Sequence, residues 1–581
     1  MARTGFLLSY ELYSFACRDL STTTIGLQNA GKFKKDITKW ISKFASPGST
    51  KKLFCFVHTV SNSNHVPGWN LFDIQKEFTR QGVNMNHWRI SEANVGYKIC
   101  QEYPSLLVVP NQIKDQDVCH VGQARYRGKI PALVWGNNNG ALLLRSSQLH
   151  YLSDDLTFSG VGQNKNDIAF LRQILTLSGK ENVHVVELGT EAAFSPIRNL
   201  YTGFYSDRCV LKFLNLPNET VLIESLRGLS TFCISGSLDK FNEIENPELM
   251  KWLTNCNSFL IGATEILKSI EEGPVMLQSY ESTIVPCISA LTQLILDPYY
   301  RTIEGFCLLI EKDFIYYGHK FYTLAKKRDD ENSSVFLLFI DCAWQIMQKY
   351  PLSFEFQESL LLFIVDSVYS CQYGSFLPCC EKDKADYPKK TPSIWSFILT
   401  NQSRFINSLY VEKEKLQNVQ FDKSQIRLWS SFYLRHRFRT SLLKVERSLQ
   451  TAVAKNVYSL ELSSLKIPFF HTNDSNLNHV TSVNLQGNII SQLPLTLINL
   501  PNLRRLCLED NRIPFLPLDF LDLYTKAVTT LEELNFKNNQ IKEMNECIGR
   551  FQELKILNIH GNLLHKFPDV SKFSKLQELD I

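Results

Sequence analysis

Short apolar runs alternate with segments of helical periodicity over the first three quarters of the chain, and this alternation predicts an α/β fold. The clearest case begins at Val275, where an apolar run of three residues enters a small polar loop. Apolar residues then recur at helical spacing up to Pro298, namely Ile288, Leu291, Leu294 and Ile295. We therefore expect a strand, a loop and a helix between residues 275 and 298.

The N-terminal pattern predicts apolar strands at residues 6–15 and 53–57, on either side of one helix at residues 34–44. A polar linker rich in Ser and Asn follows at residues 61–67 and indicates a domain boundary. Residues 379–386 are expected to form an exposed loop. Trp344 and Trp395 lie in helical patterns whose aromatic side chains are expected to pack in a core.

Composition narrows the classes of function. A net charge of +4 over 581 residues is small and argues against a nucleic-acid-binding protein. The 15 cysteines lack paired C-x-x-C spacing, so we expect reduced thiols and neither a metal site nor a disulfide framework. No signal peptide is evident, and Asp341 and Asp366 interrupt the most apolar segments short of the roughly 20 residues that cross a bilayer. A cytoplasmic protein without a cofactor is expected.

A loop that feeds a helix N-terminus points backbone N–H groups and the positive end of the helix dipole at an anion. The segment after residue 277 therefore suits phosphate chemistry, although many unrelated folds share it. Residues 119–125 also fit the bare C-x5-R pattern of cysteine phosphatases, with Cys119 and Arg125 at its ends. Polar residues precede that pattern where a buried strand is needed, so we interpret it as a chance match.

The sequence L-D-P-Y-Y-R-T-I-E-G-F at residues 296–306, continued by I-E-K-D-F-I-Y-Y-G-H-K-F at residues 310–321, closely resembles the myotubularin phosphoinositide phosphatases. Family-like segments also occur at residues 68–73, 103–110, 125–131 and 426–435. The resemblance implies a cysteine-phosphatase-like α/β domain at residues 61–445. Residues 1–60 are similar to the closing half of the GRAM module, a pleckstrin-homology-like domain that precedes it in the family.

In that family the loop reads H-C-S-D-G-W-D-R-T, and counting back from Asp297 places the nucleophilic cysteine on Gln278 and the phosphate-binding arginine on Ile284. An amide cannot form the low-pKa thiolate that attacks phosphorus. Isoleucine offers no donor to phosphate oxygens. The Asp and Gly positions of the loop are Tyr280 and Glu281, and residues 187–190 stand where the family carries D-A-R-P. The resemblance thus implies a catalytically inactive domain.

Beyond residue 456 the pattern L-x-x-L-x-L recurs with asparagine at a fixed place, at Asn488, Asn511, Asn539 and Asn562. This pattern is typical of leucine-rich repeats, in which each repeat adds one strand to a solenoid and each asparagine is expected to bond the backbone of the next turn. We assign a leucine-rich repeat solenoid to residues 456–581. Its strand face has mixed charge, and the candidate protein-binding residues are Arg504, Arg505, Glu532, Glu533 and Lys555.

The resemblance implies a pseudophosphatase adaptor that forms a hetero-oligomer with an active myotubularin in phosphatidylinositol 3-phosphate and 3,5-bisphosphate metabolism. A protein ligand of the repeats and peripheral contact with endosomal phosphoinositide membranes are expected as well, without nucleic acid. Candidate lipid contacts are Lys32, Lys34, Lys35, Lys51 and Lys52, each worth about 1 kcal/mol near an anionic surface. Two alternatives stay open: headgroup binding without turnover, or an active 3-phosphatase that uses Cys119 or Cys287.

Overall fold

A computed structural model describes the parts of the chain to which the following statements apply. These residues are 2–7, 10–16, 22–28, 36, 39, 53–57, 68–149, 165–235, 247–280, 283–321, 334–385, 387, 390–412, 416, 419–436, 438–470, 477–498, 500–516, 529–542, 544, 548–549, 551–565 and 573–581. They form a mixed α/β structure.

The strands belong to four sheets. They are β1 (Ala2–Leu7), β2 (Tyr10–Ala16), β3 (Thr22–Gln28), β4 (Trp88–Ser91), β5 (Leu107–Pro110), β6 (Ala132–Gly136), β7 (Leu142–Arg145), β8 (Val183–Glu187), β9 (Cys209–Phe213), β10 (Val275–Gln278), β11 (Ser459–Glu461), β12 (Ser482–Asn484), β13 (Arg505–Cys507), β14 (Glu533–Asn535), β15 (Ile556–Asn558) and β16 (Glu578–Asp580).

The helices are concentrated between residues 54 and 455. They are α1 (Phe54–Val57), α2 (Ile74–Arg80), α3 (Asp115–Ala124), α4 (Lys165–Ser178), α5 (Glu191–Phe194), α6 (Phe204–Arg208), α7 (Glu219–Ser235), α8 (Pro247–Glu272), α9 (Val285–Leu296), α10 (Ile303–Ile310), α11 (Ser334–Lys349), α12 (Glu358–Ser370), α13 (Glu381–Lys384), α14 (Ile394–Thr400), α15 (Ser430–Tyr433), α16 (Arg439–Lys455) and α17 (Leu495–Ile498). None of these helices is both long and apolar enough to span a membrane.

A five-stranded sheet in the order β6-β7-β10-β8-β9 lies at the centre of the α/β domain. Strands β7, β10, β8 and β9 are parallel, and β6 is antiparallel to β7. Strand β10 is in the middle of the sheet, and its apolar residues are fully buried where helices α8 and α9 pack against it. The strand, loop and helix predicted at residues 275–298 are thus confirmed as β10, a short loop and α9.

The N-terminal prediction was wrong at residues 53–57, which form helix α1 and no strand. Tertiary contacts decide this conformation: the backbone N–H of Cys55 donates to the carbonyl of Cys371, and the ring of Phe56 contacts Tyr387. Residues 6–15 are divided between β1 and β2, which pair antiparallel, and β3 was not predicted. Within the helix predicted at residues 34–44 the structure describes only Asp36 and Lys39, and both are helical.

The loop predicted at residues 379–386 was also wrong in part, because residues 381–384 form helix α13 and Lys384 is buried. Its ammonium donates to the carboxylate of Glu311, which also accepts a hydrogen bond from the indole of Trp395. A lysine is buried at low cost only when such a carboxylate pairs with it. Trp344 and Trp395 are buried, as expected.

The last six strands, β11 to β16, form one parallel sheet in sequence order. The register places equivalent positions of successive strands side by side, and the middle residue of each strand points into a core. Val445 and Ala452 of helix α16 belong to the same core, and α16 packs against β11. Helix α16 therefore covers the first edge of this sheet.

Four asparagine side chains hydrogen-bond to the backbone between neighbouring repeats, but their partners differ from the prediction. Asn511 donates to the carbonyls of Leu508 (3.1 Å) in its own loop and Leu485 (3.0 Å) in the preceding repeat. Its Oδ1 accepts the N–H of Ile490 (3.0 Å), also in the preceding repeat. Asn488, Asn539 and Asn562 repeat this arrangement. Each asparagine thus bonds its own turn and the preceding repeat, and not the next turn as predicted.

Candidate functional site

The carboxyl end of strand β10 is the place where an open α/β sheet presents its ligand site. Gln278 is the last residue of β10 and is 0% exposed. It lies beside Glu187, the last residue of β8, in the parallel register of the two strands. The candidate nucleophile position is therefore at the centre of the sheet edge, where the sequence pattern put it, but it is closed to solvent.

The amide of Gln278 is held by its neighbours at both ends. Its Oε1 accepts a hydrogen bond from the hydroxyl of Tyr201 (3.2 Å) and lies 3.5 Å from Nη1 of Arg125. Its Nε2 donates to Oε2 of Glu187 (3.3 Å), which also accepts from Nε2 of Gln148 (2.8 Å). We call these five residues the polar cluster. Both hydrogen-bonding ends of Gln278 are thus used within the protein.

Glu187 is a buried carboxylate, and its hydrogen-bond partners within the described residues include no cation. Burial raises the pKa of Glu187, and the hydrogen bonds from Gln148, from the backbone N–H of Gly189 and from Gln278 offset part of that rise. A carboxylate in this position adds negative potential to the strand end. It disfavours both a phosphate group and a thiolate there.

Arg125 is completely buried and forms the other half of the network. Its Nε and Nη2 bind the two carboxylate oxygens of Asp167, each at 2.8 Å, and Nη1 donates to the carbonyl of Ser147 at 2.9 Å. The hydroxyl of Tyr205 donates to Asp167 as well (2.6 Å). This bidentate geometry occupies the fork that would otherwise grip a phosphate.

Cys119, the first residue of the C-x5-R match, lies within helix α3. The match therefore has no loop between its cysteine and its arginine that could wrap an anion. Cys287, the other alternative nucleophile, is fully buried in helix α9, and burial raises the pKa of its thiol well above the usual value. A thiol in that state is protonated and unreactive at neutral pH.

The sequence of the loop between β10 and α9 contains no lysine or arginine that could pair with a phosphate. Ile284 precedes α9, is 5% exposed and gives the helix no side-chain cap. Pro286 in the first turn has no backbone N–H to offer. Tyr280 is 57% exposed and its ring stacks on Tyr126, with the ring centroids 4.6 Å apart. Glu281 lies outside the described residues.

The family-like residues after α9 have a structural role. Asp297 accepts hydrogen bonds from Arg80 (2.9 Å), from the indole of Trp135 (3.1 Å) and from a backbone N–H of the following turn. Arg301 donates to the carbonyls of Leu294 (3.1 Å) and Ile295 (3.0 Å), which satisfies the C-terminal end of α9. These residues anchor the C-terminal end of α9 to the rest of the domain.

The candidate lipid contacts Lys32, Lys34, Lys35, Lys51 and Lys52 lie outside the described residues. The five candidates in the repeats lie on or next to neighbouring strands of one sheet. Glu532 is bound by Arg504 (3.1 Å) and Lys555 (2.7 Å), so these three charges form one ion triad. Arg505 and Glu533 are paired in register on β13 and β14.

The sequence analysis singled out Gln278 and the segment that begins at residue 187, but it did not predict that they contact Arg125, Gln148 and Tyr201. Arg125 was noticed only through the C-x5-R match, and Gln148 and Tyr201 carry no motif. Asp167 is 42 residues from Arg125, and no spacing rule connects them. The signal for Glu187 was its place at the end of an apolar run, where the family segment has changed.

Comparison with known proteins places this geometry in context. Residues 53–385 match the family model described as a myotubularin-like phosphatase domain. Myotubularin of Xenopus laevis is 31% identical over 454 residues, which are 74% of this chain and 72% of the relative. Phosphatidylinositol-3,5-bisphosphate 3-phosphatase MTMR2 of Gallus gallus is 31% identical over 456 residues, 74% of this chain and 76% of the relative. A solved leucine-rich-repeat protein of Leptospira interrogans is 31% identical over 18% of this chain and 26% of its own, with a TM-score of 0.17.

Proposed function

Because the chain belongs to the myotubularin-related phosphatase family, we propose that it is a catalytically inactive member whose work is binding. The observation that carries this proposal is the polar cluster at the end of β10. A phosphatase needs an open space there, lined by a nucleophile and by unpaired donors. Gln278 is instead buried and bonded to Tyr201 and Glu187.

The phosphate-binding side of the site supports the same proposal. Ile284 cannot replace an arginine fork. Arg125, which is close to Gln278, is already engaged by Asp167 and by the carbonyl of Ser147. Loss of a single member of a catalytic unit already lowers the rate by roughly 10⁴ to 10⁶, so the loss of nucleophile and clamp together leaves no comparable turnover.

The proposed role is regulation of active myotubularins in phosphatidylinositol 3-phosphate and 3,5-bisphosphate metabolism, as a partner in a hetero-oligomer. What supports it is the contrast between a retained framework and a closed site. Asp297 and Arg301 still hold helix α9, while Gln278 and Ile284 stand where chemistry is needed. A fold kept without its pocket suits a protein that acts through its surface. Endosomal membranes and the cytoplasm are the proposed location.

The C-terminal residues 456–581 are proposed to form a leucine-rich repeat solenoid that binds a protein. The parallel register of β11 to β16 and the backward hydrogen bonds of Asn488, Asn511, Asn539 and Asn562 support this assignment. The position before each of these asparagines has a positive φ, and it is occupied by Gly487, Asp510, Asn538 and Gly561. Glycine, asparagine and aspartate tolerate this conformation best, so the pattern is one of local structure as well as of leucines. Residues 1–60 are proposed as a partial GRAM module.

A phosphate-release assay on water-soluble phosphatidylinositol 3-phosphate and 3,5-bisphosphate tests the proposal. We expect no release above background by the purified full chain, beside robust release by an active myotubularin in the same buffer. Release that is abolished by Cys119→Ser or Cys287→Ser would establish the active alternative. Headgroup binding without turnover is tested separately by sedimentation with phosphoinositide liposomes, where saturable, headgroup-dependent binding in the absence of any phosphatase partner would favour that alternative.

The partner is tested by co-expression of the full chain with an active myotubularin from the same cells. We expect the two chains to elute together in size-exclusion chromatography and the phosphatase activity to change when this chain is present. Separate elution of every active family member tested would contradict the adaptor role.

A further inference from the structure

The strands β11 to β16 present one face to solvent, because the first and third residue of each strand project away from the buried middle residue. Side chains of the following turns join this face: Asn535 donates to Glu509 (3.1 Å), and Asn538 donates to Asp510 (2.8 Å). We call this surface the strand face. Its charged side chains are Glu461, Arg505, Glu509, Asp510, Glu533, Lys537, Glu578 and Asp580.

The strand face is acidic, since six carboxylates stand against two basic side chains, a net charge of −4, whereas the whole chain carries +4. The adjacent ion triad of Arg504, Glu532 and Lys555 contributes +1 and leaves a net charge of −3. Strands are spaced by about 4.8 Å, which is shorter than the screening length of about 8 Å at physiological salt. The carboxylates therefore act together on a ligand that lies across the strands.

Several of these carboxylates are available to a ligand. Glu461, Glu533 and Glu578 form no ion pair with a lysine or arginine in the part of the chain that the structure describes. Glu461 accepts hydrogen bonds from Ser459 (3.1 Å) and Asn484 (3.0 Å). The negative potential of these carboxylates acts on a neighbouring thiol. Burial raises the pKa of Cys507, and the charges of Glu509, Asp510 and Glu461 raise it further.

The same region also offers an aromatic contact. Tyr458 directly precedes β11, the strand that carries Glu461, and is 65% exposed. A tyrosine ring attracts a lysine or arginine side chain through its electron-rich face. Ile556 lies between Glu533 and Glu578 in the register and adds an apolar contact. An acidic surface with these contacts repels anionic phospholipids and nucleic acid and favours a cationic polypeptide.

We propose that the strand face binds an extended segment of a partner protein that is rich in lysine or arginine. The inference deepens the proposed function, because it rests on the repeats being a protein-binding module. Six strands at about 4.8 Å give a surface roughly 24 Å across, which an extended segment of about seven residues spans at about 3.3 Å per residue. Its cationic side chains would alternate between the carboxylates of neighbouring strands.

The experiment measures fluorescence anisotropy of labelled twelve-residue peptides with the full chain. The probes are a peptide of alternating lysine and serine and a peptide of alternating glutamate and serine. The test variant is Glu461→Lys with Glu533→Lys and Glu578→Lys. The matched control is Glu224→Lys with Glu265→Lys and Glu271→Lys, on helices α7 and α8 of the α/β domain, which changes the net charge by the same amount. Circular dichroism and urea unfolding verify that both variants fold.

We expect saturable binding of the lysine peptide, at least tenfold weaker for the test variant and changed less than twofold for the control. Binding should also weaken as salt rises from 50 to 300 mM, and the glutamate peptide should not bind. Equal weakening in both variants, absence of lysine-peptide binding, or preferential binding of the glutamate peptide would overturn the proposal. Association with an active myotubularin is measured on the same test variant. The unmodified chain is measured in parallel. If it does not associate with an active myotubularin, the adaptor role is contradicted, whereas the result with the lysine peptide is unaffected.

Discussion

Restoring the family residues should not restore catalysis, which we expect of the variant Gln278→Cys with Ile284→Arg. The introduced thiol would occupy a buried position beside Glu187, where burial and a carboxylate both disfavour the thiolate. Cys209 reports on a comparable setting, since burial and Asp167 raise the pKa of its thiol to about 12 even though Arg125 lowers it. At such a pKa about one thiol in 10⁵ is ionised at pH 7.

The arginine introduced at residue 284 meets a second obstacle, because that position is nearly buried and precedes a helix whose first turn contains Pro286. The phosphate-release assay should therefore detect less than about one thousandth of the rate of an active myotubularin. Iodoacetamide should alkylate the new thiol slowly at pH 7. The control is Gln278→Ser with Ile284→Arg, which has no thiol. Turnover by the cysteine variant above that limit, absent from the serine control, would refute the view that the polar cluster closes the site.

Three further predictions concern stability, each measured by urea unfolding. Arg125→Met should lower the free energy of unfolding by about 3–5 kcal/mol, because it leaves Asp167 charged and buried. The control Arg198→Met removes an exposed ion pair and should lower it by less than about 1 kcal/mol. Equal effects of the two variants would contradict the importance of the buried pair. Asn539→Ala should cost about 3 kcal/mol through its lost backbone hydrogen bonds, and a cost below 1 kcal/mol would refute their importance. Burial raises the pKa of Asp341 from 3.8 to about 6, so the folded protein holds this proton more tightly than the unfolded chain. Its contribution to the free energy of unfolding should fall by about 2 kcal/mol as the pH rises from 4 to 6, and Asp341→Asn should remove that part of the pH dependence. Parallel pH profiles of the two proteins would argue against it.

Local pattern was enough to predict several parts of this protein. Strand β10, its loop and helix α9 follow from a buried apolar run and a helical repeat, since the spacing of apolar residues within a segment already indicates which type of element it forms. The strands β12 to β15 follow from the repeat for the same reason. The resemblance of residues 296–321 indicated a family that the comparisons confirm. The spacing to Asp297 alone identified Gln278 and Ile284 as the residues at the family's cysteine and arginine positions.

Only the tertiary structure decided what fills the end of the sheet. The pair of Arg125 and Asp167, and the contacts of Gln148 and Tyr201 with the strand ends, join residues far apart in the chain, and no periodicity encodes such a meeting. The same limit explains the error at residues 53–57, where a contact with Cys371 favours a helix over the strand that the apolar run predicted. Apolar periodicity reports which face of a segment is buried. The partners of a buried polar group depend on how distant segments pack, because each such group must find its hydrogen bonds wherever the fold places a complementary one.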